Sequence, residues 1–228
     1  MKYSIKLNAV SNPDKSVKAF AAVTFGDCFK ITNIAVVKTQ EGEPFVSMPS
    51  FKSKERNEHN QPVYKDVCNP ITSDFRKELY DDILALYEEM ERSGKSEVSK
   101  AADHPEEPQF RVAVTPFERE GSNIRGLVRV YFEDCFVVNN VSIIKGRESE
   151  FVAMPSYMAK QNGKDEKPQY QDVCFPVTKE FREKMYDVIM ECYQHEKTKI
   201  MNQKMKHTAS QSMERAESIQ PDRKLTFR

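Results

Sequence analysis

The chain has 228 residues, of which 39% are hydrophobic and 31% charged, and this fits one large or two small domains of a soluble globular protein. Because there is no run of 18 apolar residues and the N-terminus lacks the apolar core of a signal peptide, we expect a cytoplasmic protein that does not enter a membrane. The 35 basic residues equal the 35 acidic ones, which removes the usual electrostatic signature of nucleic-acid binding without excluding that function.

Five strands are predicted in the first part of the chain. Apolar or alternating runs place them at 2–10, 17–25, 29–37, 45–48 and 63–67. The pair Gly26-Asp27 separates the second run from the third, and such a pair between two apolar runs favours a β-hairpin. A charged loop at 51–62 precedes the fifth run.

A helix is predicted after these strands. Thr72 stands where an N-cap would, because its hydroxyl can accept from the free amides of the first turn. Behind it, apolar residues recur at helical spacing, namely Phe75, Leu79, Ile83, Leu86 and Met90. Residues 93–108 are polar, contain Gly and Pro and have no apolar period, which predicts a linker.

The second half of the chain repeats the first. Residues 45–87 align with residues 151–193 without a gap, and 19 of these 43 positions are identical. Upstream, an offset of 107 residues matches Phe25 with Phe132. A unit of this length is a whole domain, since solenoid repeats are about 20–50 residues long.

Two copies of one domain are therefore predicted, at 1–92 and 109–199, followed by a basic, flexible tail at 200–228. Thr178 takes the N-cap position in the second copy, and its helical stripe is Phe181, Met185, Ile189 and Cys192. The predicted fold class is α+β, with two similar domains that each have a four- to five-stranded antiparallel sheet and one C-terminal helix. One such sheet with one helix is a small core for a domain of about 95 residues, which leaves a face or an edge of the sheet for a partner. We therefore expect the copies to pair as a pseudo-dimer, within one chain or between two chains.

No catalytic or metal-binding group of residues is recognisable. The five cysteines are odd in number and include no CxxC pair, which argues against a disulfide framework or a zinc site. None of the four histidines recurs in the other copy, and no Gly-rich phosphate-binding motif is present. Asp66 with Arg76, repeated as Asp172 with Arg182, is interpreted as a structural ion pair and not as a catalytic one. We therefore predict a non-enzyme without cofactor or metal.

The repeated segments FVSMPS…YKDVCNPI and FVAMPSYM…YQDVCFPV resemble the SpoVG family, the bacterial stage V sporulation protein G or septation regulators. Family members are single domains that dimerise through their sheets and bind DNA and RNA, and they are linked to sporulation, septum formation and gene expression. The resemblance thus implies that this chain is a covalent pseudo-dimer and a nucleic-acid-binding regulator. Members commonly carry a basic pair after Met-Pro-Ser, where this chain has Phe51-Lys52 and Tyr157-Met158.

Two loops and the tail hold the candidate nucleic-acid-binding residues. Lysine and arginine neutralise phosphates, and exposed aromatic rings stack on unpaired bases. The candidates are Phe51, Lys52, Lys54 and Arg56 in the first loop, Tyr157, Lys160, Lys164 and Lys167 in the second, and Lys197, Lys199, Lys204 and Lys206 in the tail.

Two other interpretations remain open at this point. The acidic residues of the loops offset their basic ones, as in ordinary solvated loops. The neutral body and the incomplete basic pair also fit a protein-interaction scaffold that has lost the nucleic-acid contact. The predicted partners are accordingly DNA or RNA, and the two halves with each other or with a second chain, without a small-molecule substrate.

Overall fold

The computed structural model describes residues 1–11, 16–158 and 169–217, with side chains described through residue 206. The first copy forms β1 (Tyr3–Ala9), β2 (Val17–Phe25), β3 (Phe29–Lys38), β4 (Pro44–Ser47), β5 (Ser50–Arg56), β6 (Pro62–Asp66), β7 (Cys68–Pro70) and α1 (Ser73–Ser93), followed by β8 (Glu97–Lys100). The second copy forms β9 (Phe110–Pro116), β10 (Ile124–Phe132), β11 (Phe136–Lys145), β12 (Glu150–Ala153), β13 (Ser156–Met158), β14 (Tyr170–Asp172), β15 (Cys174–Pro176) and α2 (Lys179–Glu217). The predicted α+β class, with antiparallel sheets and a C-terminal helix in each copy, is confirmed.

Each main sheet is completed by a strand from the other copy. The first sheet has the order β15-β3-β2-β1-β8, with β4 also on β3, and the second has the order β12-β11-β10-β9, with β7 on β11. Thus β7 leaves the first copy and pairs Cys68 with Val138, while β15 leaves the second and pairs Cys174 with Ile31. This reciprocal exchange makes the chain a pseudo-dimer with an approximate twofold relation between its halves.

A bulge in β3 and in β11 receives the exchanged strand. Asn33 and Asn140, which occupy equivalent positions, have φ of 62° and 60°. Asparagine adopts this left-handed region more readily than most residues, and the extra residue bends the strand. Beside each bulge a backbone amide donates across the junction, from Thr32 to the Val173 carbonyl at 2.8 Å and from Asn139 to a carbonyl of the first copy at 2.7 Å.

The core is continuous between the copies because aromatic rings from both meet at its centre. The Phe25 ring lies 5.7 Å from that of Phe132 and 5.0 Å from that of Phe136, and Phe29 lies 4.7 Å from Phe132. All four side chains are fully buried. Neither domain therefore has a closed core of its own.

The helices cover the sheets with nearly the faces that the sequence predicts. In α2 the predicted Phe181, Met185 and Ile189 are buried, but Tyr193 takes the last place of the stripe and the predicted Cys192 is only half-buried. The buried residues of α1 include the whole predicted stripe. The predicted N-cap hydrogen bond is present at Thr178, whose hydroxyl accepts a hydrogen bond from the Phe181 amide at 3.3 Å. Thr72 occupies the N-cap of α1 without such a bond. No helix within the described ranges is long and apolar enough to cross a membrane.

Part of the predicted linker belongs to the first sheet. Residues 97–100 form β8, which pairs with β1 and buries Val98 opposite Leu7. A four-residue strand with one buried apolar side chain has no detectable period, so its sequence resembles a linker. Further along, the chain passes so close to Gly26 that a Cβ there would lie 2.1 Å from the Glu106 carbonyl oxygen.

The predicted tail begins as helix. Helix α2 continues without a break through residue 217, well beyond the end of the domain predicted at 199. Residues 218–228 lie outside the described part of the chain.

Candidate functional site

The first predicted binding loop is mostly a β-hairpin. Strands β5 and β6, here called the first hairpin, form a two-stranded sheet of their own. The turn is closed by Asn57, whose side-chain oxygen accepts the amides of His59 at 3.0 Å and Gln61 at 2.8 Å. The fifth predicted strand, at 63–67, corresponds to β6. Strand β5 was not predicted, because nearly all its side chains are exposed and no apolar alternation marks it.

The three predicted cations of this hairpin differ in their contacts. The Arg56 guanidinium donates to the Asn60 carbonyl at 2.7 Å and so helps to hold the turn. Lys52 and Lys54 are exposed, and no acid in the described chain lies within ion-pair distance of either. These two lysines are therefore available to an anionic ligand, whereas Arg56 is partly committed to the hairpin.

The second predicted loop is described only at its ends. Strands β13 and β14, here called the second hairpin, pair Tyr157 with Gln171. The Tyr157 hydroxyl donates to the Gln171 side-chain oxygen at 2.7 Å. The other candidates of this loop, Lys160, Lys164 and Lys167, lie outside the described residues.

The tail lysines lie on α2. Lys197 contacts Glu150 at 3.8 Å, and Lys199 contacts Glu196 at 3.4 Å. Lys204 and Lys206 lie further along the helix and are exposed. None of these lysines lines the groove that lies beside the first hairpin.

A groove of about 660 Å³ separates the first hairpin from the outer face of the second sheet, and we call it the first groove. The first copy contributes Phe51, Lys65, Asp66 and Asn69, and the second contributes Ala113, Thr115, Leu127, Val128, Arg129, Asn139 and Asn140. It exists because the exchange of strands places the hairpin of one copy over the sheet of the other. Of the predicted site residues, only Phe51 lines it.

The lining combines one aromatic ring, two cations, side-chain amides and the carboxylate of Asp66. The Phe51 side chain is 40% exposed and that of Leu127 is 44% exposed. Lys65 is bonded to Glu55 at 2.7 Å, whereas Arg129 has no acid within ion-pair distance in the described chain. Proteins bind unpaired bases with exposed rings that stack on them, with guanidinium groups that contact phosphates and with polar side chains that bond to base edges. The groove has side chains of all three kinds.

Arg129 was missed by the sequence reading, although a signal was present. Arg125, Leu127 and Arg129 alternate with buried residues along β10, so this outward face is marked by cations. The equivalent positions of the first copy are Lys18, Phe20 and Ala22, and a comparison of outward faces would have found the difference.

The arginines of the two predicted Asp–Arg ion pairs hold the structure together, but each bonds to a backbone carbonyl and not to its aspartate. Arg76 donates to the Pro70 carbonyl at 2.9 Å, and Arg182 donates to the Pro176 carbonyl at 3.0 Å. Each guanidinium thus ties the end of an exchanged strand to the following helix. Partial burial raises the pKa of the Asp66 carboxyl, and the attraction of Arg76 offsets part of that rise.

The cysteines are free thiols, and two of them meet at the junction of the copies. Cys68 and Cys174 are fully buried on the exchanged strands. The hydrogen bond with Cys68, together with burial, raises the pKa of the Cys174 thiol well above its ordinary value. Burial likewise raises the pKa of Cys28 to about 12. Thiols held in the protonated form are poor nucleophiles.

Comparisons with known proteins agree with the internal repeat. The sequence model of the SpoVG family matches residues 1–89 and 109–195. Several relatives carry the name septation protein SpoVG. That of Treponema denticola is 37% identical over 81 residues, covering 36% of this chain and 78% of the relative. That of Phytoplasma australiense is 38% identical over 73 residues, covering 32% and 70%. That of Symbiobacterium thermophilum is 31% identical over 105 residues, covering 46% and 69%.

Proposed function

Because the chain belongs to the SpoVG family and carries its domain in two tandem copies, we propose that it is a non-enzymatic regulatory protein of the cytoplasm that binds DNA or RNA. The observation that carries this proposal is the first groove, whose lining draws an exposed ring, two cations and three asparagine amides from the two copies. The names of its relatives point to septation as the process in which such a regulator acts.

In the proposed mechanism one face of the first hairpin stacks on a base and the other face neutralises phosphates. Phe51 pairs with Lys65 on the face toward the groove, and Lys52 pairs with Tyr64 on the other face. A strand that enters the groove stacks a base on Phe51, and its backbone phosphates are neutralised by Lys52 and Lys54 where it passes over the hairpin. Contacts of this kind hold nucleic acid with little sequence preference.

Reversing the two available charges is expected to weaken binding about tenfold or more at low salt. In K52E/K54E two phosphate contacts are lost, and the slope of log K against log salt for a single strand becomes shallower by about 1.4. Arg56 is left in place because it holds the turn. Fluorescence anisotropy with labelled mixed-sequence DNA and RNA, from about 50 mM salt upward, measures both quantities.

The matched control is K77E/K179E, which changes the net charge equally. Both lysines lie on helices, are largely exposed and make only helical ion pairs with Asp81 and Glu183. This control is expected to bind almost as the wild type does. The proposal is wrong if the wild type binds neither DNA nor RNA at low salt, or if both double variants lose affinity equally.

A second candidate function is a protein-interaction scaffold, and we propose it on a separate observation. Large apolar side chains are exposed at equivalent positions of the two copies, Phe45 with Phe151 and Ile71 with Val177. Their recurrence fits a surface used twice. A pull-down at physiological salt in the presence of nuclease separates the two functions, because partners that survive nuclease favour the scaffold.

A further inference from the structure

We propose that the open edge of β9 is a docking site for an extended segment of a partner protein, which adds to the second sheet as an antiparallel strand. In the first sheet β8 covers the outer edge of β1, whereas no strand among the described residues pairs with the equivalent edge of β9. The chain that follows α1 returns to the sheet as β8, but the chain at that place in the second copy continues as helix α2. This inference goes beyond the proposed function, since it needs no nucleic acid.

The backbone groups at the open edge follow from the strand register. The Phe117 amide donates to the Arg125 carbonyl at 2.8 Å, and the Glu133 amide donates to the Gln109 carbonyl at 3.0 Å. The register between β9 and β10 is unbroken between these two bonds, so odd-numbered residues of β9 bond to β10 and even-numbered residues face the other way. The N–H and C=O groups of the even-numbered residues have no partner within the described ranges. These residues are Phe110, Val112 and Val114.

Strand β8 shows what kind of segment such an edge accepts. It lies antiparallel to β1, with Val98 opposite Leu7 and Lys100 opposite Ile5. The Val98 side chain is buried, and the Lys100 ammonium bonds to Asp82 of α1. A short strand that turns alternate side chains toward the helix is therefore enough to close the edge.

The open edge has apolar side chains where the covered edge has a partner for lysine. Val112 takes the place of Ile5, and Val188 of α2 takes the place of Asp82. Ile5 is 1% exposed beneath its covering strand, whereas Val112 is only half-buried and Val188 is 36% exposed. Because a valine side chain cannot bond to an ammonium, the docked segment is expected to carry an apolar residue opposite Val112. A second apolar residue, two positions away, is expected opposite Val114, as at the equivalent place of β8.

Pro116 limits the length of the docked strand. It stands where the first copy has Ala9, whose amide donates to the Ser96 carbonyl at 2.9 Å. Proline has no amide to donate, so the pairing weakens beyond Val114. The docked strand is therefore about as short as β8.

A lone strand fits this edge better than a second copy of the chain does. Helix α2 packs against β9. If two β9 edges paired with each other, the strands would be about 4.8 Å apart, and the two helices above them would be nearly as close. Packed helices need about 8–10 Å between their axes. A segment that brings no helix of its own avoids this overlap.

The test uses the whole chain and two synthetic peptides with blocked ends. One peptide has the sequence of residues 95–102, and the other is the same peptide with Lys100→Val, which supplies the second apolar residue. Titration of isotope-labelled protein, followed through its amide NMR shifts, gives the affinity of each peptide. Hydrogen exchange locates the bound peptide, because docking should protect the amides of Val112 and Val114.

Three variants separate docking from other effects. Val188→Asp gives the second copy the acid that the first copy has at Asp82. Val112→Pro removes an amide that faces the open edge, and proline is tolerated in edge strands. Met201→Asp is the matched control for the added charge, because Met201 is exposed further along α2. Circular dichroism checks that each variant is folded.

We expect the Lys100→Val peptide to bind the wild type about threefold more tightly than the unchanged peptide, the usual size of a cross-strand side-chain effect. Val188→Asp should reverse this preference, and Met201→Asp should behave as the wild type does. Val112→Pro should weaken the binding of both peptides about tenfold, through the lost hydrogen bond.

Absence of binding of either peptide at millimolar concentration overturns the inference. Protection of amides away from β9, or a peptide preference that Val188→Asp leaves unchanged, also overturns it. A doubling of the mass with rising protein concentration, together with protection of the Val112 and Val114 amides, would show that a second copy occupies the edge, and this too overturns the inference.

Discussion

Replacing Phe25 with alanine is expected to lower the free energy of unfolding by about 3–5 kcal/mol, the usual cost of removing a buried phenylalanine ring. Phe25 is fully buried and touches rings of both copies, Phe75 in its own and Phe132 and Phe136 in the other. Because these rings form one core, both copies should unfold in a single transition at a lower midpoint. Urea denaturation followed by circular dichroism measures the loss.

Phe20 provides the matched control, since it lies on the same strand but faces outward and is 42% exposed. Phe20→Ala is expected to change the free energy of unfolding by about 0.5 kcal/mol or less. Equal losses in the two variants would contradict the shared aromatic core, and so would a transition of F25A in which the second copy keeps its wild-type stability.

Placing a carboxylate on an exchanged strand is expected to lower the free energy of unfolding about as much as Phe25→Ala does. Cys174 is fully buried, pairs with Ile31 across the junction and contacts Cys68. Cys174→Asp is therefore expected to cost about 3–5 kcal/mol at pH 7, the range for an uncompensated buried charge. Urea denaturation at several pH values gives the free energy of unfolding relative to the wild type.

The sign of the pH dependence follows from burial. In the unfolded chain the new carboxyl has a pKa of about 3.9, and burial raises its pKa in the folded protein. The folded state of the variant then binds the proton more tightly, so the loss grows as the pH rises above about 4. Val177→Asp is the control, because Val177 follows the same strand but is exposed, and its change should stay within about 0.5 kcal/mol. A loss at Cys174 no larger than at Val177 would contradict the strand exchange.

The internal repeat is the reason why much of the fold was predictable. The alternation of buried and more exposed residues along Val17–Phe25 and the helical stripe from Phe75 onward are set by local periodicity, and their reappearance in the second copy supports each assignment. Pairing of the copies followed from the small size of each domain. The particular strands exchanged did not, because β7 and β15 are three residues long and their partners are far away in sequence.

The candidate site was less predictable, since it is made from both copies at once. Phe51 was identified through the Met-Pro-Ser motif, but Arg129 lies on β10, outside the two loops and the tail that held the predicted candidates. Its proximity to the first hairpin follows only from the strand exchange. The Arg56 contact to Asn60 is similarly a property of the turn geometry and not of composition.

The solution mass of the 228-residue chain tests most directly whether the two copies complete each other within one polypeptide. Light scattering coupled to size-exclusion chromatography should give 26.4 kDa, the mass of one chain, at every concentration. A species of twice that mass that persists on dilution, with no folded monomer, would show that the strands are exchanged between chains and would contradict this account.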